Sequence, residues 1–137
     1  MQATNVCEFG ALVTAIEDLK TQGKMIGLCC GGFDLLHPGH VMHFNSAKKL
    51  CDVLVVAVTS DVFVREFKGP GRPILTEAQR AYLVANVRAV DYAFVSPYKT
   101  AVEVIALLNP TCFIKGPDFI GCDTPMLAAE REAMHSV

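Results

Sequence analysis

The sequence predicts an α/β protein in which helices cover both faces of an open parallel sheet. Two observations carry that prediction. Short apolar runs alternate along the chain with segments of helical period, and the runs are of the continuous aliphatic kind that suits strands buried on both sides. A third sharpens it: the most polar, glycine-bearing segments each follow the end of an apolar run, where such sheets place their ligands.

Residues 11–22 carry Leu12, Val13, Ile16 and Leu19 on one helical face, with Gly23 as the C-terminal stop. Residues 25–30 form an apolar run that reads as a buried strand and ends at Gly31-Gly32, a pair that demands a tight turn. The next helix covers residues 40–50, where Val41, Phe44 and Ala47 recur one turn apart. Residues 53–59 are the clearest strand, and Ser60-Asp61 leads from it into a short helical piece ending at Phe67. Two glycines and two prolines between Lys68 and Pro73 exclude regular structure and leave a loop with two positive charges. Thr76-Glu77-Ala78-Gln79 fits the capping box of a helix reaching Arg88, and residues 92–95 follow as a third strand. Thr100-Ala101-Val102-Glu103 repeats the capping pattern for a helix that ends before Pro110. Residues 112–115 are a fourth strand, Lys115-Gly116-Pro117-Asp118 a loop, and Thr124-Pro125 opens a last helix to the chain's end. Right-handed crossovers are expected between the parallel strands.

A length of 137 residues predicts one domain, 1–137, and 52% apolar against 19% charged residues excludes disorder. The longest strongly apolar run, residues 53–58, is far too short for a bilayer span, and the start of the chain lacks the order of a secretory signal. A cytoplasmic protein with no membrane partner is expected. Twelve Lys plus Arg stand against 14 Asp plus Glu, a net charge of -2 with no basic arm, so no nucleic-acid partner is expected and an anionic ligand must be held locally. The six cysteines form no C-x-x-C pair and several sit in apolar runs, which reads as buried, reduced thiols rather than a zinc site or disulfide framework.

The chemistry concentrates in Gly31-Gly32-Phe33-Asp34-Leu35-Leu36-His37-Pro38-Gly39-His40. His37 and His40 stand three apart at a helix opening, so both imidazoles can face one side, and Gly39 between them lets a ligand approach the backbone. A helix N-terminus offers free N–H groups and the positive end of a dipole to an anion. Imidazoles beside it can donate to phosphate oxygens and stabilise charge that builds in a transition state. Taken alone, the pair also fits a helix-cap coincidence or a metal pair lacking its third ligand.

With the glycine turn before it, Gly-Phe-Asp-x-x-His-x-Gly-His resembles the nucleotide-binding motif of the cytidylyltransferase-like nucleotidyltransferase superfamily. Those enzymes join a nucleoside triphosphate to a phosphorylated acceptor and release pyrophosphate. The resemblance extends over residues 10–120, through Ser-Ala-Lys-Lys-Leu-Cys-Asp-Val-Leu-Val-Val-Ala-Val-Thr-Ser-Asp, Lys-Gly-Pro-Gly-Arg-Pro-Ile, Val-Arg-Ala-Val-Asp-Tyr and Ile-Lys-Gly-Pro-Asp-Phe. These segments look like the sugar-phosphate adenylyltransferase branch, typified by the heptose 1-phosphate adenylyltransferase domain. Glycerol-3-phosphate cytidylyltransferase has nearly the same skeleton.

The resemblance implies a Rossmann-like, three-layer α/β/α fold of the HUP type. It implies that His37, His40 and Lys68 are catalytic, the imidazoles on the phosphates and Lys68 on the triphosphate or the acceptor phosphate. Gly32 and Phe33, through their backbone, with Asp34, Gly39, Lys115, Gly116 and Asp118, are expected at the nucleotide. Asp61, Arg72, Arg80 and Arg88 are expected at the acceptor. No general base is needed, because an acceptor phosphate is already an anionic nucleophile. Magnesium would bridge the triphosphate rather than occupy a protein cage, and a homodimer is expected.

Two departures stand out. Pro117 replaces the second glycine of a family Lys-Gly-Gly-Asp and removes a backbone N–H. The family's further strand and Ser-Thr-Thr helix start lie beyond the region matched here, so the chain is expected to lack a C-terminal strand and helix. The leading expectation is adenylyl transfer from ATP to a sugar phosphate of the heptose 1-phosphate kind. The alternatives are a cytidylyltransferase acting on glycerol 3-phosphate or another phospho-alcohol, an archaeal-type flavin nucleotide synthetase, and a nucleotide-binding module without turnover.

Overall fold

A computed structural model describes residues 5–115 and 132–134. In chain order the elements are α1 (Phe9–Thr21), β1 (Ile26–Gly31), α2 (Pro38–Lys48), β2 (Val53–Thr59), α3 (Asp61–Lys68), α4 (Glu77–Ala85), β3 (Tyr92–Ser96), α5 (Ala101–Leu108) and β4 (Cys112–Phe113). The strands form a parallel sheet in the order β3-β2-β1-β4, with Ile26 opposite Val53, Val55 opposite Tyr92 and Gly27 opposite Cys112. The chain builds outward from β1 through β2 to β3, then returns to add β4 on the far side of β1. The expected α/β class and the strand positions therefore hold.

Side chains alternate across β2 as the pleat requires. Leu54, Val56 and Val58 join Phe44 and Ala47 of α2 and Ala81 and Val84 of α4 in one core. Val55 and Ala57 join Leu12 and Ile16 of α1 and Val104, Ile105 and Leu108 of α5 in the other. Two apolar layers on one sheet explain why the β2 run is uninterrupted: both faces of the strand are covered, so neither asks for polar residues.

Several boundaries differ from the sequence expectation, each for a local reason. Helix α1 starts at Phe9 because the Glu8 carboxylate accepts from the Gly10 and Ala11 N–H groups, and these bonds hold its carboxyl below the ordinary range. Helix α2 starts at Pro38, where a fixed φ and a missing N–H are already suited to a first turn. Helix α4 ends at Ala85, so Arg88 falls in the turn before β3. The predicted box at Thr76 forms, with Thr76 Oγ1 and the Gln79 side chain each accepting from the other's N–H. Thr100 caps α5 through the Val102 N–H and donates to Glu103. The helix expected from Thr124-Pro125 lies outside the described residues apart from 132–134, which are helical and place Ala133 and Met134 against the α1/α5 core.

One contact has no counterpart in the sequence reading. Residues 5–7 run along the outer edge of β3, where Ala93 N–H donates to Asn5 O, Cys7 N–H donates to Ala93 O, and Asn5 Nδ2 reaches Ala85 O.

Of the expected buried thiols, Cys29 is fully enclosed and burial pushes its thiol up to about 12, while Cys7, Cys30, Cys51 and Cys112 are half-buried and free of disulfides. Cys122 lies outside the described residues. The chain after α2 presses Cys51 against β1: a Cβ on Gly27 would stand 2.7 Å from Cys51 Sγ and 3.2 Å from Ile114 Cδ1. Gly27→Ala is therefore expected to cost about 1–3 kcal/mol in urea unfolding through overpacking. Adding Cys51→Ala should return part of that loss, because it removes the nearer obstacle.

Candidate active site

The order of the sheet places its switch point at the carboxyl end of β1, between β2 on one side and β4 on the other. The segment after β1 therefore enters the crevice that an open α/β sheet offers a ligand. Phe33 and Leu35 both hold φ of 53°, a left-handed backbone that costs a non-glycine residue about 1–3 kcal/mol. Packing holds it there: the Phe33 ring is buried 5.1 Å from the Phe44 ring and stands edge-on to His40 at 5.6 Å. The Phe33 side chain thus belongs to the core, which leaves its backbone to face a ligand.

The two histidines form the N-terminal cap of α2. Gly39 N–H donates to His37 Nδ1 at 3.0 Å, and His37 N–H donates to His40 Nδ1 at 3.1 Å. A neutral imidazole has one donor and one acceptor nitrogen. With each Nδ1 occupied as acceptor by a backbone N–H, each Nε2 carries the proton, and the rings lie 4.0 Å apart as a pair of N–H donors at a helix N-terminus. Gly39 is required for this, since a Cβ there would stand 2.7 Å from His37 Cε1. Burial, then the neighbouring His37, His43 and Lys68, push the His40 imidazole below its ordinary range, which favours the neutral tautomer. His43 is lowered by burial as well.

Asp34 does not face the ligand. Its side chain is 1% exposed and accepts from the Ile74 and Leu75 N–H groups at 2.7 and 3.0 Å, with the Arg72 guanidinium at 3.5 Å. Burial opposes its charge, but these hydrogen bonds and the guanidinium together hold its carboxyl below the ordinary range. The expected nucleotide contact is therefore corrected to a pin that fixes the 72–75 loop against the site.

Arg80 requires a similar correction. Its side chain is fully buried and donates to Leu75 O, to Gly32 O at 2.8 Å, to Thr59 O at 2.6 Å and to Asp61 Oδ1 at 2.7 Å. No guanidinium surface is left for an acceptor, so Arg80 positions the ends of β1 and β2 instead of binding one. Asp61, paired to it, keeps 29% of its side chain exposed near the end of β2. Arg88 is exposed in the turn that precedes β3, at the amino-terminal end of the parallel sheet, so one chain does not bring it to the site. Arg72 remains on the site's loop with 43% of its side chain exposed.

Next to Gly32 opens a cleft of about 340 Å³. The ends of β1, β2 and β3 form its floor through Cys30, Gly31, Ala57, Thr59 and Ser96. Lys68 and Phe67 of α3, the α5 start at Lys99, Thr100 and Ala101, and Lys115 complete the walls. His37 lies in a separate, shallower depression with Leu36, Pro38, Val41 and Met42. Gly32 and Lys68 link the two regions: Gly32 lies on the turn that leads to the histidines, and the Lys68 charge is felt at His40. Lys115 also stands 5.0 Å over the Phe113 ring. Gly116 and Asp118 lie outside the described residues. Sequence reasoning missed Ser96, Lys99 and Thr100, although all three follow the end of an apolar run as the recognised segments do.

Among the described residues no three His, Cys, Asp or Glu side chains stand together to hold a metal ion. The nearby carboxylates are engaged, Asp34 by its loop and Asp61 by Arg80. No described helix is long and apolar enough to cross a membrane.

The family model described as cytidylyltransferase-like matches residues 28–131. The bifunctional protein HldE of a Nitratiruptor species is 41% identical over 114 residues, 83% of this chain and 25% of that protein. HldE of Syntrophotalea carbinolica is 38% identical over 126 residues, 92% of this chain and 25% of that protein. The chain thus spans about a quarter of the length of these curated relatives. Among solved structures, a lipopolysaccharide core biosynthesis protein from Thermoplasma volcanium superposes with a TM-score of 0.70 at 26% identity, covering 83% of this chain and 88% of that one.

Arg80→Met leaves buried carbonyls and the Asp61 carboxylate without their donor, and urea unfolding is expected to show a loss of about 3–5 kcal/mol. An NMR pH titration should place the His40 midpoint below that of a free imidazole, and Lys68→Met should move it upward. Because the folded-state value is lowered, His40 contributes stability above the free-imidazole pKa, and that stability is lost as pH falls through the lowered one.

Proposed function

The chain belongs to the cytidylyltransferase-like family, and on that footing we propose that it transfers a nucleoside monophosphate from ATP to a sugar phosphate of the heptose 1-phosphate kind. An oxygen of the acceptor phosphate attacks the α-phosphorus, the bond from that phosphorus to the bridging oxygen breaks, and pyrophosphate leaves. The observation that carries this reading is the histidine cap, in which backbone N–H groups occupy both Nδ1 atoms and leave two Nε2–H donors side by side at the start of α2. Donors fixed before the substrate arrives need no reorganisation as charge builds on the phosphate oxygens.

Lys68 follows from the same reasoning. It ends α3 beside the glycine-proline loop, lines the cleft and acts electrostatically on His40, so a long cation there can follow charge as it moves from the α-phosphate to the leaving pyrophosphate. Magnesium, when bound with the triphosphate, supplies further neutralisation of that charge. The choice of ATP and of a sugar phosphate is supported by the similarity to HldE and to a lipopolysaccharide core biosynthesis protein. A cytoplasmic homodimer completes the reading.

The test is pyrophosphate release with magnesium, ATP or CTP, and either heptose 1-phosphate or glycerol 3-phosphate. Release is expected with ATP and heptose 1-phosphate. Replacing His37 or His40 by Ala is expected to lower kcat by about 10²–10³ with the far-ultraviolet circular dichroism retained. Release only with CTP would overturn the choice of nucleotide, and nucleotide binding with silence in every assay would favour a binding module.

A further inference from the structure

The cleft beside Gly32 contains a cation that the proposed chemistry leaves without a task. Lys99 follows the end of β3 and stands on the wall formed by the start of α5, while Lys68 lines the same cleft from the end of α3. Lys99 pairs with Glu66 of α3 and lies 5.7 Å over the Phe67 ring. The partners of this pair are 48% and 49% exposed, so water screens their attraction and the pair contributes little to stability. A loose carboxylate partner on a cleft-lining lysine occupies a place that a better anion can take. A dianionic phosphate presents more charge and more acceptor oxygens than Glu66 does. Thr59 and the small Ala57 lie on the floor beneath, and the small Ala101 on the wall leaves further room for a polyhydroxylated body.

We infer that Lys99 is a specificity-determining residue for the acceptor, exchanging Glu66 for the phosphate of the phosphorylated substrate as it enters the cleft between α3 and α5. The inference rests on the proposed transfer reaction, since it names the group that would hold that reaction's second substrate. It also assigns Glu66 a role: in the empty cleft it competes with the acceptor for the same ammonium group.

The test uses the full chain and two independent readouts, calorimetric binding of heptose 1-phosphate and steady-state pyrophosphate release at saturating ATP and magnesium. Lys99→Met is expected to raise both the Kd and the acceptor KM about tenfold, the effect of losing one charge-assisted hydrogen bond, with the KM for ATP unchanged. Lys99→Arg should restore most of that affinity. Glu66→Gln should lower the acceptor KM by removing the competitor. Turnover in the wild type with an acceptor KM unmoved by Lys99→Met would overturn the inference and leave the proposed reaction standing. An equal rise in the KM for ATP would overturn it too, because Lys99 would then serve the nucleotide. Acceptor binding that depends on Lys99, in a protein that releases no pyrophosphate, would uphold the inference and overturn the reaction. Absence of acceptor binding in the wild type would overturn the inference directly.

Discussion

The site depends on a single buried guanidinium. Arg80 reaches from α4 to the carbonyl of Gly32 just past β1, to that of Thr59 at the end of β2, to the loop ahead of its own helix and to the carboxylate that opens α3. Strand ends are where a parallel sheet loses its ladder, and the carbonyls of Gly32 and Thr59 would be left without this donor if Arg80 were absent. A planar cation with several donors satisfies them together and so sets the width of the crevice. Burying that charge is costly, and it is tolerated because almost every donor is matched and one acceptor is itself charged. The Asp34 carboxylate performs the complementary task on the next loop, gathering two backbone N–H groups where Arg80 gathers carbonyls.

On this frame the histidine pair serves two purposes through the same ring atoms. Its Nδ1 atoms begin a helix, and its Nε2 atoms are thereby committed as donors to whatever occupies the crevice. The proline at the first helical position and the glycine next to it are the two residue types that permit this, one by lacking an N–H and the other by lacking a Cβ. Tautomer, ring orientation and helix start are thus one decision made by four consecutive residues. Burial and the neighbouring His37, His43 and Lys68 lower the His40 pKa, which favours the neutral form that this arrangement requires of that ring.

Much of the fold was legible because its signals are local. The β2 run and the Thr76 box each lie within a few residues and proved to be the elements expected, whereas Gly31 closes β1 and the turn expected at Gly31-Gly32 falls at Asp34-Leu35. The same local signals locate His37, His40, Gly32 and Lys68, which the structure places around the carboxyl end of β1. What escaped is long-range. Arg80 and Gly32 are 48 residues apart, and Asp34 and Ile74 are 40 apart. Nothing in the neighbourhood of either residue says that its charge is spent inside the protein rather than on a substrate. Arg88 failed for another reason: α4 ends three residues before it, and the direction of the next strand carries it to the wrong end of the sheet. Lys99 follows the end of β3 as the recognised segments follow theirs, but it lacks the glycines and histidines that singled those segments out.

The segment before α1 has a consequence for how copies of the protein meet. By exchanging hydrogen bonds with Ala93, residues 5–7 occupy the outward-facing polar groups of that residue, near the start of β3. An exposed strand edge is a template onto which any foreign strand can add, and it is the usual starting point of sheet-to-sheet aggregation. Here an intruding strand would first have to displace the chain's own covering. At that point of the edge, backbone pairing by another chain costs the loss of these native bonds.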